Sequence, residues 1–231
     1  MEPAAQPDAR TSPCHRGVEI SAIVAFFLLT ALLAERVLAN ASAGKWFGIA
    51  LGILVGFVAA DFVSGMVHWI GDTWGDSSWP VLGPGLIRPF REHHVDPLAI
   101  TRHDFVETNG NSSIGSVILL GLGLSLPPAG PLGTLLCAAV LSLASWLFAT
   151  NQIHKWAHAS NRPAPVDWLQ KRRWILAPEH HGVHHSAPFD RYYCITTGWL
   201  NPVLTRFGFF PALERWIQRA TGAMPRRQPL S

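Results

Sequence analysis

Between Glu107 and Lys155 the chain contains no Asp, Glu, Lys or Arg. An uncharged stretch of that length exceeds what one helix of a soluble domain can bury, whereas about 20 apolar residues cover the hydrocarbon core of a bilayer. The stretch is divided by Pro127-Pro128-Ala129-Gly130-Pro131, a run that stops a helix and turns the chain. It therefore predicts a helical hairpin, with spans near Ile114–Leu126 and Leu132–Gln152, the first of them short. Two further apolar runs precede it, Ile20–Leu38 and Trp46–Ile70. Charged residues make up only 14% of the chain, against about 25% in soluble domains. The expected fold is all-α and integral to the membrane, with about four transmembrane helices and a histidine-rich cap.

Four crossings put the N-terminus, residues 71–113 and everything after His154 on one side. Of the eighteen Lys and Arg, only Arg36 and Lys45 then fall on the other. Positive charge in short loops marks the cytoplasmic face, so the cap is expected there, in a bacterial inner membrane or the endoplasmic reticulum. The net charge of +3 is spread without a basic block or a row of aromatic platforms, which argues against a nucleic-acid partner. Residues 1–17, polar and rich in Pro and Ala, are expected to be a disordered tail. The apolar run after them is longer than a signal-peptide core and is read as a retained anchor. Residues 18–217 are expected to form one membrane-embedded domain and 218–231 a flexible tail. Within that domain Ile195–Ile217, aromatic but broken by Pro202 and Pro211, reads as an amphipathic segment lying in the interface. Cys14, Cys137 and Cys194 are too few and too far apart for a disulfide framework or a thiolate metal site.

Histidine carries the chemistry. Of eleven, His15 lies in the tail, and the other ten fall in four groups on the cap side. His68 sits at the end of the second run, with Asp61 seven residues before it and Asp72 four after, all near one face if the helix persists. An aspartate inside an apolar helix is a functional candidate, though Asp61 can equally serve a helix–helix hydrogen bond and Asp72 a helix end. His93 and His94 are adjacent and cannot share a helical face. They could serve two metals, or one could bind and the other support it. His103 and Glu107 are four apart, close enough to approach one site. His154 and His158 stand one turn apart on a helix, the spacing that chelates one ion, with Asn151 on the same face. His180, His181, His184 and His185 are four histidines in six residues, and on a helix they would pair 180 with 184 and 181 with 185. A solvated loop or a pH-sensing cluster would explain this last group alone, but not all four together. Neutral imidazole binds Fe, Zn, Cu and Ni. Ten imidazoles exceed the roughly four to six ligands one ion takes, so two metals explain the number better. Ligands at one face also argue against a transporter, which would hold them at mid-membrane.

These residues lie in motifs that resemble the plasmanylethanolamine desaturase family, also called Kua-like lipid desaturases. The resemblance runs from about Val58 to Trp216. It is carried by Asp61-Phe62-Val63-Ser64-Gly65-Met66-Val67-His68-Trp69, Asp72-Thr73-Trp74-Gly75, Arg88-Pro89-Phe90-Arg91-Glu92-His93-His94 with Asp96-Pro97, and Ile100-Thr101-Arg102-His103-Asp104-Phe105 with Glu107-Thr108-Asn109. It continues through His154-Lys155-Trp156-Ala157-His158, His180-His181-Gly182-Val183-His184-His185 and Cys194-Ile195-Thr196-Thr197-Gly198-Trp199-Leu200-Asn201. His181-Gly182-Val183-His184-His185 fits the H-x-x-H-H box of membrane desaturases, whereas His93-His94 with the distant His103 does not. The resemblance implies an O2-dependent lipid desaturase with two iron ions (Fe2+/Fe3+). Its metal ligands would be His68, His93, His94, His103, His154, His158, His180, His181, His184 and His185, with Asp61, Asp72, Glu107 and Asn151 as possible supporting residues. It implies a membrane phospholipid as substrate and a small electron-transfer protein, such as cytochrome b5 or ferredoxin, as partner. The expected reaction is formation of the vinyl ether bond of plasmalogens. The alternatives are acyl-chain desaturation, as in a plant plastid relative acting on phosphatidylglycerol, hydroxylation of a phospholipid, or a zinc-binding membrane scaffold. Arg88, Arg91, Arg102 and Lys155 are candidates to hold a lipid phosphate, and serve equally well as topology signals.

Overall fold

The computed structural model describes residues 13–42, 44–80, 83 and 87–226. Among them are ten helices and no strand: α1 (Pro13–Ala39), α2 (Trp46–Thr73), α3 (Arg88–Val95), α4 (Ala99–Arg102), α5 (Phe105–Ser125), α6 (Gly130–His158), α7 (Ala164–Lys171), α8 (Pro178–Gly182), α9 (Asn201–Arg206) and α10 (Phe209–Thr221). Of the tail expected over 1–17, residues 1–12 lie outside the described residues, and 13–17 are the first turns of α1. Of the C-terminal tail, 227–231 lie outside them, and α10 continues to Thr221.

The four apolar runs are the four long helices. Three of them, α1, α2 and α6, are long and apolar enough to cross a membrane. The fourth, α5, begins with a polar half that includes Glu107, Asn109, Asn111 and Ser112, so its apolar part is shorter than a full crossing. It starts at Asp104, whose carboxylate accepts from the Glu107 backbone N–H at 2.9 Å, an N-terminal cap. It ends at the Pro127-Pro128 turn, and α6 restarts with Pro131 in its first turn, where the missing N–H does no harm.

Arg16 at the start of α1 pairs with Asp104, and Arg36 near its end reaches the Leu124 carbonyl. α1 and α5 therefore run parallel, and α2 and α6 run the opposite way beside them. Leu33, Leu120, Cys137 and Ala144 pack in the shared centre. Phe27, Leu28, Phe47 and Leu54 are large apolar side chains left exposed on the outside. Apolar residues both inside and outside mean that lipid is the outer solvent.

Gly48, Gly52 and Gly56 form a four-residue repeat on α2 that lies against α6. A Cβ at Gly52 would run into the Leu135 carbonyl and one at Gly56 into the Ala139 carbonyl. In lipid, where apolar burial does not drive helices together, this close backbone approach is what associates them. Ser142 Oγ adds a hydrogen bond to the Ile53 carbonyl at 2.7 Å. The consequence for the site is that the last turns of α2 and α6 emerge side by side.

Candidate metal centre

The C-terminal turns of α2 and α6, together with α3 and the segment from α8 to His185, bring eight histidines to one end of the bundle in two groups. His93, His154, His158, His181 and His185 form one, and His68, Asp72, His94 and His184 the other; within each group the donor atoms all lie within 4.8 Å of one another. Helical spacing builds much of this. His154 and His158, one turn apart on α6, join the first group. His68 and Asp72, one turn apart on α2, join the second. His93 and His94 point to different groups, because adjacent residues cannot share a face.

The groups share a wall. The His94 and His185 ring centres are 5.0 Å apart, and those of His68 and His154 5.8 Å. In the first group His181 Nε2 lies 2.8 Å from His154 Nε2 and 3.0 Å from His185 Nε2. In the second, Asp72 Oδ2 faces His94, His184 and His68 Nε2 at 3.1, 3.3 and 3.4 Å.

Backbone carbonyls set two of these rings. His68 Nδ1 donates to the Tyr193 carbonyl at 3.0 Å, and His184 Nδ1 to the Arg191 carbonyl at 2.9 Å. A ring that donates from Nδ1 while neutral presents a bare Nε2 lone pair, the ligand form of histidine. Burial disfavours the charged form of three of the other rings. It lowers His185 to about 2, aided by His184 and His158. His93 and His181 are also driven far below the usual histidine range, first by burial and then by neighbouring imidazoles. Among the described residues His93 Nε2, His158 Nε2 and Asp72 Oδ1 are buried without a hydrogen-bond partner. Lone pairs turned on one another in a dry site repel unless a cation lies between them, so the residues present fit a pair of metal ions.

His103 and His180 stand apart from both groups. His103 is half-exposed beside Glu107 at 3.8 Å, and the Lys155 ammonium donates to its backbone carbonyl. His180 Nε2 accepts from Asn201 Nδ2 at 3.2 Å. The His180 ring turns to Asn201 and Gly198, so the expected pairing of His180 with His184 is not made, and His184 joins the second group. His181 and His185 do meet. Asn151 is on α6 outside both groups.

Asp61 is buried on α2 and faces a loop. Its carboxylate accepts backbone N–H bonds from Thr197, Gly198 and Leu200 at 2.7, 2.8 and 3.1 Å. Asn201 grips the same loop, accepting from Cys194 N–H and donating to its carbonyl. Neither Asn201 nor the glycine repeat was singled out from the sequence; the four-residue spacing of Gly48, Gly52 and Gly56 was the available signal. Of the basic candidates, Arg91 donates to the Trp74 and Gly75 carbonyls, Arg102 pairs with Asp96, and Lys155 is held by His103.

Residues 57–228 match the family model of the lipid desaturase domain. The chain is 51% identical to a plasmanylethanolamine desaturase of Myxococcus xanthus over 95% of this chain and 78% of that protein. It is 46% identical to plasmanylethanolamine desaturase 1 of Mus musculus, over 77% of this chain and 68% of that one. It is 34% identical to the chloroplastic fatty acid desaturase 4 of Arabidopsis thaliana, over 77% and 54% respectively. No solved structure matches it.

Proposed function

The chain belongs to the lipid desaturase family, and on that footing we propose that it uses two iron ions and O2 to form the vinyl ether bond of plasmalogens from plasmanylethanolamine. That it is a membrane-bound lipid desaturase follows from the family and its relatives; the metal, the oxidant and the substrate are our proposal. The observation that carries it is the pair of adjoining donor groups, five imidazoles beside three imidazoles and a carboxylate.

His93, His154, His158, His181 and His185 would hold one ion, and His68, Asp72, His94 and His184 the other. Iron bound there supplies the one-electron chemistry that O2 and an unactivated C–H bond require, which zinc cannot. The overall reaction balances as follows. Two hydrogens leave the first two carbons of the ether-linked alkyl chain, two electrons and two protons come from outside, and O2 leaves as two waters. The electrons would come from a small electron-transfer protein at the cytoplasmic face. The excess of Lys and Arg on the histidine side supports that orientation.

The chain's own part is positioning and exclusion of water. The Tyr193 and Arg191 carbonyls fix the tautomers of His68 and His184. His68 and His184 are fully enclosed, which keeps bulk water from the reacting carbons. Because the groups cap the ends of spanning helices, a lipid can present the start of its chain without leaving the bilayer.

The test is lipid mass spectrometry of a plasmalogen-free cell expressing the chain or its His184→Ala variant. Vinyl ether lipids are expected from the first and none from the second. An alcohol product would replace desaturation by hydroxylation, and purified active protein containing zinc without iron would overturn the metal assignment.

A further inference from the structure

A cleft of about 190 Å3 opens beside the group that contains His184, lined by Asp190, Arg191, Leu204, Thr205, Phe210 and Pro211. Asp190 also lines a second, water-sized cavity of about 10 Å3 whose inner wall is Asp72. Asp190 therefore borders both the cleft and a cavity that touches a residue of the second donor group. Resting on the desaturase reading above, we infer that this cleft binds the phosphoethanolamine headgroup of the substrate lipid, with Arg191 on the phosphate and Asp190 on the primary ammonium.

Four observations carry it. The first is chemistry. Asp190 and Arg191 are consecutive residues of opposite charge, and among the described residues neither side chain has an ion-pair partner. A phosphate and an ammonium separated by two methylenes ask for a pair that close together. The Thr205 hydroxyl adds a donor, and Leu204, Phe210 and Pro211 give an apolar wall for the headgroup carbons and the glycerol.

The second is size. Sites for whole drug-sized ligands run from about 300 Å3 upward, so this cleft suits a headgroup whose chains remain in lipid. The third is depth. Phe210 packs with Trp69 near the end of α2, and Trp69 Nε1 donates to Glu214 of α10 at 3.2 Å. The cleft therefore lies at the end of a spanning helix, beside the amphipathic α10 with its exposed Trp216, at headgroup level.

The fourth is proximity. Only the glycerol carbons and an ether oxygen separate the phosphate from the carbons that react, so a headgroup site must adjoin the donor groups. Residues 190–193 join the two. The Arg191 and Tyr193 carbonyls hold His184 and His68, while Asp190 and Arg191 line the cleft. Phe189 and Tyr192 on either side adopt positive φ of 61° and 65°, a strained backbone that a functional loop tolerates.

The inference predicts selectivity. Choline has no N–H to offer Asp190, and a site built to hydrogen-bond a group rejects the analogue lacking it. The full-length, iron-loaded chain in nanodiscs would be assayed with alkyl phosphatidylethanolamine and alkyl phosphatidylcholine, both for turnover and for lipid retained in native mass spectrometry. The wild type should prefer the ethanolamine lipid by about tenfold or more. Asp190→Asn should bring that ratio close to one. Arg191→Gln should raise KM for both lipids by about tenfold, with partial rescue by Arg191→Lys. Iron content should stay at the wild-type level in all three variants, which checks that the fold survives. Wild-type headgroup preference in Asp190→Asn, or unchanged KM in Arg191→Gln, overturns the cleft assignment while leaving desaturation standing. Selective retention of the ethanolamine lipid, lost in the variants, upholds the cleft even if no vinyl ether forms, in which case it is the reaction that falls.

Discussion

The two donor groups touch, yet they are assembled on different principles. The group of five draws on α3, the end of α6 and the α8 turn, and is made wholly of imidazole. Its pairs follow helical spacing, 154 with 158 and 181 with 185. The group of four draws on α2, α3 and the same turn, contains the carboxylate of Asp72, and has two rings tethered to the carbonyls of residues 191 and 193. An ion in the first would keep its full charge, whereas Asp72 would offset part of it in the second. The group of four is also the one beside the headgroup cleft. The difference teaches that the two ions would not be interchangeable, and that the 190–201 loop governs one of them far more than the other.

The most severe way to break this comparison is to delete a ring from each group. His184→Ala and His181→Ala should each lower turnover by more than about 100-fold, because even residues behind the ligands matter by 10- to 100-fold. Iron content distinguishes two ions from one, since each variant should fall from two per chain towards one. A drop to zero in both would mean that the groups form a single cooperative site. Asp72→Asn is gentler: shape is kept and the negative charge is lost. A fall in turnover of about 10- to 100-fold is expected, with iron lost from the group of four alone.

The loop can be tested next. Asp61→Ala leaves two buried N–H groups and one part-buried one without an acceptor, and each buried orphaned donor costs about 1–3 kcal/mol. The variant should lose about 2–6 kcal/mol from the two buried donors, visible as a lower Tm in detergent, and should lose iron from the group of four before the group of five. Equal loss from both groups would mean that Asp61 supports the whole cap and not the loop.

Acid probes the other group. In the iron-free protein His185 is held near 2 and His93 and His181 are also depressed, while in the unfolded chain histidine takes a proton near pH 6.5. Below that pH the unfolded state binds protons that the folded state refuses, so stability falls as pH drops from about 6.5 towards 2. Tm measured from pH 7.5 to 5 should decline in the iron-free protein and much less once iron is bound. A flat profile without metal would show these rings already paired with something other than an ion.

How far the sequence foretold this depends on how local each feature is. The apolar runs, the Pro127-Pro128 hairpin and the pairs on α2 and α6 were legible, because period and composition act over a single helix. The separation of His93 from His94 was legible as one of two alternatives for the same reason. The fate of His180 was not. Its ring turns to Asn201, 21 residues away, a partner that the local spacing of the histidines does not predict. Asp61 was flagged, but its partners lie more than 130 residues away, and no local pattern points to Thr197 or Leu200. α5 shows the converse limit: its polar first half packs at the histidine end, so helix length exceeded apolar length.

The smallest expected effect concerns the two histidines left outside. If donor geometry decides which rings bind metal, His103→Gln should keep both ions and change turnover by less than about threefold, in line with the small consequences of most surface substitutions. His103 is half-exposed, and Lys155 reaches its backbone carbonyl, which the substitution preserves. His180→Gln should do slightly more, since His180 meets Asn201, and Asn201 holds the loop at Cys194. A glutamine there can still accept from Asn201 Nδ2, so iron should remain while turnover falls modestly. Loss of an ion from either variant would mean that the cap closes further around its metals, recruiting these rings from where they now stand.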